Sequence, residues 1–441
     1  MKNTSIIIWY FLLFFPSLLS AQVVQKPLEL TLEEAWIMYE SQSPTIQRLL
    51  IDRNMSVRDV ETKIKSWIPS VSLGSGLSRS ATPLVSTLTN PSLPAKPELS
   101  LWSLRGSLDM RLSLDPSLGL QEQKENLSLQ SALLEILIQK KILWSGFQKS
   151  YFQIIAQAEN LKYLEESLTL AQGRYELIKT QYERGLRSDL ELLSAQIAAS
   201  RDIPALQKAR VDQEKRLLTL RQNLGLDHLP PLILTTKIPS VEIVPVLENV
   251  MKKSDFHPEY QRALIKKELS KVTRELGRSS RIGPTVGMSM GWSTGLNPLL
   301  ETSAWSGEKW TDSLSLGFSL SLPLDAHIPG STGNMALLKL DEEIQKQDLT
   351  LLEARLKAEN ELQSLVMDLE VSQLSREASE LNLTLQSQNY RKIEESFEKG
   401  KSSLQELDTA RQDQQKARLA LETEKLNFLF LMIDLKVKMG E

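Results

Sequence analysis

Catalysis and metal binding need imidazoles, thiolates, carboxylates or activated hydroxyls gathered at short, fixed spacings, and this 441-residue chain gathers few of them. Its three histidines, His228, His257 and His327, stand apart beside prolines or in linkers, none with a second histidine or a carboxylate at ligand spacing. Capping or solvent exposure accounts for them better than metal. Cysteine is absent, which removes thiolate metal sites, disulfides and any acyl chain attached through a cysteine. No HExxH motif, phosphate-cradling glycine loop or nucleophile elbow occurs. The expectation is a protein with no catalytic residue, metal or cofactor. Fifty-two basic against 55 acidic residues leave a net charge of -3, so no basic field exists to hold nucleic acid.

What recurs instead is a turn. "YERGLRSDLELL" at 182–193 and "FEKGKSSLQELD" at 397–408 repeat an aromatic, a glutamate, a base, a glycine, then a serine and a Glu-Leu pair, 215 positions apart. Pro44 and Pro258 keep nearly the same offset, as do Pro69 with Pro284 and Tyr175 with Tyr390. Self-similarity held over this distance marks two copies of one unit. The expected boundaries are 22–225 and 245–441, with a Pro-rich linker over 226–244.

Each copy must contain elements of two periods. In "WSLRGSLDMRLSLD" at 102–115, Trp102, Leu104, Leu108, Met110, Leu112 and Leu114 share one parity, and serines, arginines and Asp109 share the other. Successive strand side chains point to opposite faces, so one face is apolar and the other polar. "SLSLGFSLSLPL" at 313–324, the segment over 69–79 and the segment over 284–293 read the same way. Alternation most often means a half-buried sheet in a soluble domain. Here the strand lengths match the ~9 to 11 residues of a tilted membrane crossing. The polar parity is rich in serine and glycine, and Trp67, Trp102, Trp292 and Trp310 lie at or beside strand ends, where aromatic girdles sit. Lipid-facing strands are therefore expected, and four cannot close a barrel, so several chains must pool them.

The helical stretches are predicted over 44–66, 119–184 and 188–222 in the first copy, and over 258–279, 333–399 and 403–437 in the second. Ile154, Leu161, Leu164, Leu168, Ala171, Tyr175, Ile178 and Tyr182 recur at steps of three and four, a coiled-coil seam. The second seam is weaker, with Arg376, Ser379 and Gln386 at three of its places. The helix ahead of Gly185 would reach ~100 Å, too long for a globular domain. Pro204 should bend the returning helix locally. Residues 1–21, one lysine followed by an apolar run and small residues, have the layout of a cleaved secretory signal. After them no segment has the length of a membrane helix.

"LTLEEAW" near the start, the paired "PSVSL" and "PTVGM" strand entries, and above all "GLRSDLELLSAQ" and "GKSSLQELDTARQ" resemble the TolC family of outer-membrane efflux and secretion channels. The resemblance covers the mature chain. It implies a mainly α fold with a transmembrane β part: a homotrimer whose shared 12-stranded barrel in outer-membrane lipid caps a long periplasmic α-helical barrel. It also implies two partners, a periplasmic adaptor (membrane fusion) protein and an inner-membrane transporter of RND or ABC type. Localisation would be the outer membrane of a Gram-negative-type cell, with a long periplasmic portion. The tip residues Gly185, Leu186, Arg187 and Ser188 match the family's adaptor contact, with Gly400 and Ser403 at the second tip, where Lys401 and Ser402 depart from the pattern. Family members ring the closed entrance with acids six and nine residues after the second tip glycine, which places Glu406 at a gate, with Glu191 at the equivalent place in the first copy; the ninth position is Thr409, which departs from the pattern, with the acid Asp408 beside it. The function implied is passive exit of small molecules in a tripartite efflux system. Type I protein secretion is the alternative within the class, and a structural periplasmic coiled-coil protein the alternative outside it.

Overall fold

The computed structural model describes residues 28–65, 68–79, 102–114, 116–226, 232–239, 243–296 and 310–441. The expected leader over 1–21, His228 and Trp67 lie outside them. In chain order the elements are β1 (Leu28–Leu30), α1 (Leu32–Gln42), α2 (Pro44–Ile64), β2 (Ser70–Arg79), β3 (Trp102–Leu114), α3 (Leu118–Glu183) and α4 (Asp189–Asn223). They continue with β4 (Leu232–Leu234), α5 (Leu247–Met251), α6 (Pro258–Ile282), β5 (Thr285–Leu296), β6 (Trp310–Ser321), α7 (Thr332–Glu398) and α8 (Leu404–Lys438). The order helix, strand, strand, long helix, returning helix thus runs over α2–α4 and again over α6–α8.

Local chemistry sets the boundaries. Pro44 and Pro258 occupy the first turns of α2 and α6, where a missing N–H costs nothing. Pro69 and Pro284 precede β2 and β5 and turn the chain from helix to extended backbone. Between Leu118 and Glu183, and between Thr332 and Glu398, no proline interrupts 66 and 67 residues of helix. Each spans ~100 Å at 1.5 Å per residue. The helix α4 runs through Pro204 as one element.

Helix α4 packs on α3 and α8 on α7, and the part of each long helix they do not reach is covered by α2 and α6. Arg262 of α6 holds Glu135 of α3 with contacts of 2.7 and 2.8 Å. Of the α3 seam, Ile154, Leu164, Ala171 and Ile178 are buried, with Leu161, Leu168 and Tyr175 packed beside them. On α7 no residue beyond Ser372 is buried, although Tyr390, Ile393 and Phe397 stay half-covered.

A core not expected from the sequence forms where α1, α3 and the ends of α4 and α8 meet. The strands β1 and β4 pair in parallel, Leu28 with Leu232 through Leu30 with Leu234, so the Pro-rich linker carries a strand. Tyr151, fully buried, donates its hydroxyl to the Leu30 carbonyl at 2.9 Å and accepts from the Thr236 N–H at 3.3 Å. Trp36, Tyr39, Trp144 and Phe147 pack on one another with ring centroids 4.8 to 6.2 Å apart, and Phe147 joins them to Tyr151 at 6.4 Å. The "LTLEEAW" segment starts α1 through a capping box between Thr31 and Glu34.

The other four strands form one antiparallel sheet in the order β2-β3-β5-β6. Its register carries the apolar parity straight across. Leu73, Leu108, Trp292 and Leu314 form one row, Val71, Met110, Met290 and Leu316 the next, and Leu112, Met288 and Phe318 another. Two details differ from the expectation. Strand β6 begins at Trp310 and β5 ends at Leu296, which leaves Trp292 four residues inside its strand rather than at its end. The face is also not wholly apolar, because Ser75, Gly106, Thr294 and Asp312 form a polar row on it near the Trp310 end. Asp312 breaks the alternation at the start of β6, so the expected strand opens at 313, and Leu322 and Leu324 carry the alternation past its end at Ser321; the expectation over 313–324 is thus shifted by three residues and equal in length.

Candidate functional site: two hairpin tips and two sheet faces

At the first tip α3 ends in a glycine-terminated turn. Gly185 has φ +73°, its N–H donates to the Tyr182 carbonyl at 2.8 Å, and the Leu186 N–H reaches back to the Gln181 carbonyl at 2.9 Å. This paired closure satisfies carbonyls the helix end would orphan, and only glycine adopts the left-handed φ at little cost. The second tip repeats it: Gly400 has φ +70°, and Gly400 and Lys401 donate to Phe397 and Ser396 at 2.9 and 2.8 Å.

Each returning helix then opens with a capping box. Ser188 accepts from the Glu191 N–H at 3.3 Å while Glu191 accepts from the Ser188 N–H at 2.9 Å. Ser403 and Glu406 do the same at 3.2 and 2.9 Å. Two of the three acids assigned to a gate therefore also close helix starts. They differ in their neighbours. Arg187 binds Glu191 at 2.8 Å and lies 5.6 Å over the Phe397 ring. The Ser188 N–H, with help from Arg187, holds the Glu191 carboxyl below the usual carboxylate range. Among the described residues, Glu406 has no basic partner.

The third acid, Asp408, faces inward. Arg201 of α4 binds it with two contacts of 2.9 and 3.1 Å, and Arg411 approaches it at 3.2 Å. Burial acts to raise the Asp408 pKa, but the Arg201 hydrogen bonds and charge outweigh it and hold the group below its ordinary value. Arg411 is only 5% exposed and also binds Asp202 at 2.8 Å and the Ser167 carbonyl at 3.1 Å. This buried cluster joins α3, α4 and α8, and reading by motif missed it. One signal was available: Arg411 sits on the face of α8 that also carries Leu404 and Leu407, where a charge needs a partner.

The tips present different surfaces. Leu186, Leu190, Leu193 and Ile197 are exposed by 51 to 73%. Their counterparts 215 positions on are Lys401, Gln405, Asp408 and Gln412.

On the sheet, the apolar parity is exposed, from Val71, Leu73 and Leu77 on β2 to Leu314, Leu316, Phe318 and Leu320 on β6. Trp102 and Trp310 lie half-buried at the far end from the helices, with the Arg79 guanidinium 5.8 Å over the Trp102 ring, and Trp292 is 43% exposed in mid-strand. Among the described residues no helix is long and apolar enough to cross a membrane.

His257 is a helix cap: it is fully buried, and its Nδ1 accepts from the Glu259 N–H at 3.3 Å. Its Nε2 lies 3.3 Å from Glu361 without hydrogen-bond alignment, and burial, with Lys438 nearby, pushes its pKa down. Among the described residues no group of three His, Asp or Glu side chains could hold a metal ion.

Residues 39–226 match the family model described as outer membrane efflux protein. No curated protein sequence matches the chain. Among solved structures, the fold is similar to that of CusC, at 14% identity with a TM-score of 0.70, covering 93% of this chain and 92% of that one. It is similar to the CmeC outer membrane channel of Campylobacter jejuni, at 13% identity and a TM-score of 0.69, over 93% and 85% of the two chains. The outer membrane protein VceC of Vibrio cholerae gives 13% identity and a TM-score of 0.67, over 93% and 96%. At these identities the likeness is one of fold.

Proposed function

We propose, from the premise that the chain belongs to the TolC-type outer membrane efflux protein family, that it is one subunit of a homotrimeric outer-membrane duct. Small molecules driven by an inner-membrane pump of RND or ABC type would leave through it, passed on by a periplasmic adaptor docked at the hairpin tips. The observation that carries this reading is the register of the four-stranded sheet. An exposed apolar face runs across all four strands, and β2 and β6 are sheet edges with no neighbour among the described residues.

The apolar rows from Leu314 to Leu320 extend ~20 Å along the strand, and with the Trp310 girdle the face reaches ~34 Å, or ~26 Å when tilted by ~40°, against an apolar band of ~25 Å in membrane barrels. The Asp312 row and the Arg79–Trp102 contact then fall at the outer headgroups. An unpaired edge in hydrocarbon costs several kcal/mol per backbone group, so β6 of one copy must pair with β2 of the next, and three copies supply 12 strands. We read α2–α4 and α6–α8 as two copies of one duplicated unit, which lets alternating hairpins tile a ring. Exposed stripes support lateral packing between copies: Ile203, Val211 and Leu218 on α4, and Val371, Leu374 and Leu381 on α7.

The test is fractionation and conductance. The protein should pellet with outer membranes, need detergent for extraction, migrate as a trimer and conduct ions in planar bilayers. A stable monomer purified from the aqueous periplasm without detergent would overturn the reading in favour of a soluble coiled-coil rod. Deleting the gene should raise drug sensitivity; loss of secreted proteins with unchanged sensitivity would favour protein secretion instead.

A further inference from the structure

The sheet face opposite the leucines has a composition that its role as a water-facing wall does not require. Every position of that parity on β2, β5 and β6 is serine, glycine or threonine. Only β3 departs, carrying Arg105, Asp109 and Arg111 between serines. The register sets each charge between short neighbours: Arg105 between Gly76 and Gly295, Asp109 between Ser72 and Gly291, Arg111 between Ser70 and Ser289.

The hydroxyls around them are tied into the sheet. Ser78 and Ser103 share a hydrogen bond of 2.7 Å, Ser293 and Ser313 one of 2.8 Å, and Ser315 donates to the Gly291 carbonyl at 3.2 Å. The result is a low, neutral wall in which these hydroxyls bond within the sheet. From it the β3 side chains project without cover. Arg105 donates to the Ser293 hydroxyl at 3.3 Å, and among the described residues neither arginine has an ion-pair partner. An open hollow of about 610 Å³ lies over this stretch, lined by Arg105, Ser107 and Asp109 on a bed of Gly74, Gly76 and Gly291.

We propose that β3 is the selectivity strand of the duct: Arg105 and Arg111 draw anionic solutes through the membrane segment, and Asp109 partly offsets them. The inference rests on the reading of this face as the lumen. In a ring of copies, all fixed charge on the lumen-facing parity of the described strands comes from β3, one net positive charge per subunit. Rings of like charge are how pores favour one sign of ion. The sign is opposite to that of the acids at the tips, so a comparison of variants, and not the wild-type preference alone, isolates it.

The experiment is reversal-potential measurement across planar bilayers in a salt gradient, with the full trimer. Serine is the residue this wall already uses, so R105S combined with R111S should leave the strand intact while making the wall net negative. The anion-to-cation permeability ratio should fall by about twofold at low salt and return towards the wild-type value at ~1 M, where the Debye length is ~3 Å. D109S should shift the ratio the opposite way. Wild-type ratios in both variants, or shifts of the same sign, overturn the inference and leave the channel reading standing. A wild-type protein that never conducts overturns the channel reading and this inference with it. If the serine variants fail to insert, D109N, which keeps the side-chain shape, must raise the ratio, and no rise overturns the inference.

Discussion

The two hairpin tips share their backbone and differ in their surface. Both end a long helix at a left-handed glycine and start the next with a Ser-x-x-Glu capping box. Yet the first exposes Leu186, Leu190, Leu193 and Ile197, while the second places Lys401, Gln405, Asp408 and Gln412 at those positions and buries Leu404, Leu407 and Ala410. The difference follows from location. Helix α8 touches α7, α3 and α4, whereas α4 meets mainly α3. A repeated turn fixes geometry, and the surroundings decide which side chains are left for partners.

The largest expected effect tests that interior position. Arg411→Met removes a buried cation from Asp202, Asp408 and the Ser167 carbonyl and should cost on the order of 3 kcal/mol, read as a fall in the unfolding midpoint of the detergent-solubilised trimer. The matching change at the first tip, Gln196→Met, falls on an exposed residue and should stay within about 0.5 kcal/mol. Equal effects would break the comparison. Acid probes the same cluster. Because the Asp408 pKa is depressed on folding, its contribution is fully present above the unfolded carboxylate value and is lost as pH falls through the lower folded one. The link between α4 and α8 should therefore hold from neutrality down to about pH 4 and loosen below it, seen as hydrogen exchange at the tip.

Next in size is docking. Leu186→Asp with Leu190→Asp replaces two exposed apolar side chains by charges, and adaptor binding should weaken by at least tenfold, since each buried leucine contributes about 1.5–3 kcal/mol. Lys401→Asp with Gln405→Asp, at the equivalent places, should change binding by less than about threefold, or under 1 kcal/mol. A larger loss from the second pair would reverse the assignment of the contact surface. Both can be measured by surface titration of the purified adaptor onto the trimer.

The shared backbone has its own test. Gly185→Ala and Gly400→Ala meet no heavy atom within 4 Å, so each pays only for the left-handed φ. Each should cost about 1–2 kcal/mol, and the two should be alike. A marked inequality would show that the turns are not equivalent after all.

How much of this was legible depends on the range over which the physics acts. The long helices show in their proline-free runs and seam periodicity, and the turns in Gly185 and Gly400, because helix propensity and capping are local. The sheet shows in alternation until Asp312 interrupts it, and then β6 reads three residues late at each end, because Leu322 and Leu324 continue the alternation beyond Ser321. The pairing of β1 with β4 was invisible: each strand has three residues, they lie some 200 positions apart, and one is inside a Pro-rich stretch. Arg411 and Asp202 are 209 positions apart, and nothing in either neighbourhood names the other. The family-derived acids Glu191 and Glu406 were legible as a pair but not as different, since the distinction is Arg187, present at one tip and replaced by Ser402 at the other.

That distinction supports the finest prediction. Glutamine at the third helical position still reaches back to the cap, so Glu406→Gln removes the charge while keeping the capping box, and stability should move by no more than about 0.5 kcal/mol. Glu406→Ala would mix the two losses. If an acid ring at the tips favours cations, Glu406→Gln should lower the cation preference of the reconstituted channel. Glu191→Gln should leave it nearly unchanged, because Arg187 already neutralises that carboxylate at 2.8 Å. Arg187→Gln should then act in the opposite sense, uncovering Glu191 and raising cation preference. If Glu191→Gln matched Glu406→Gln in size, the Arg187 pair would not compensate its acid, and the two tips would be electrostatically alike despite their different surfaces.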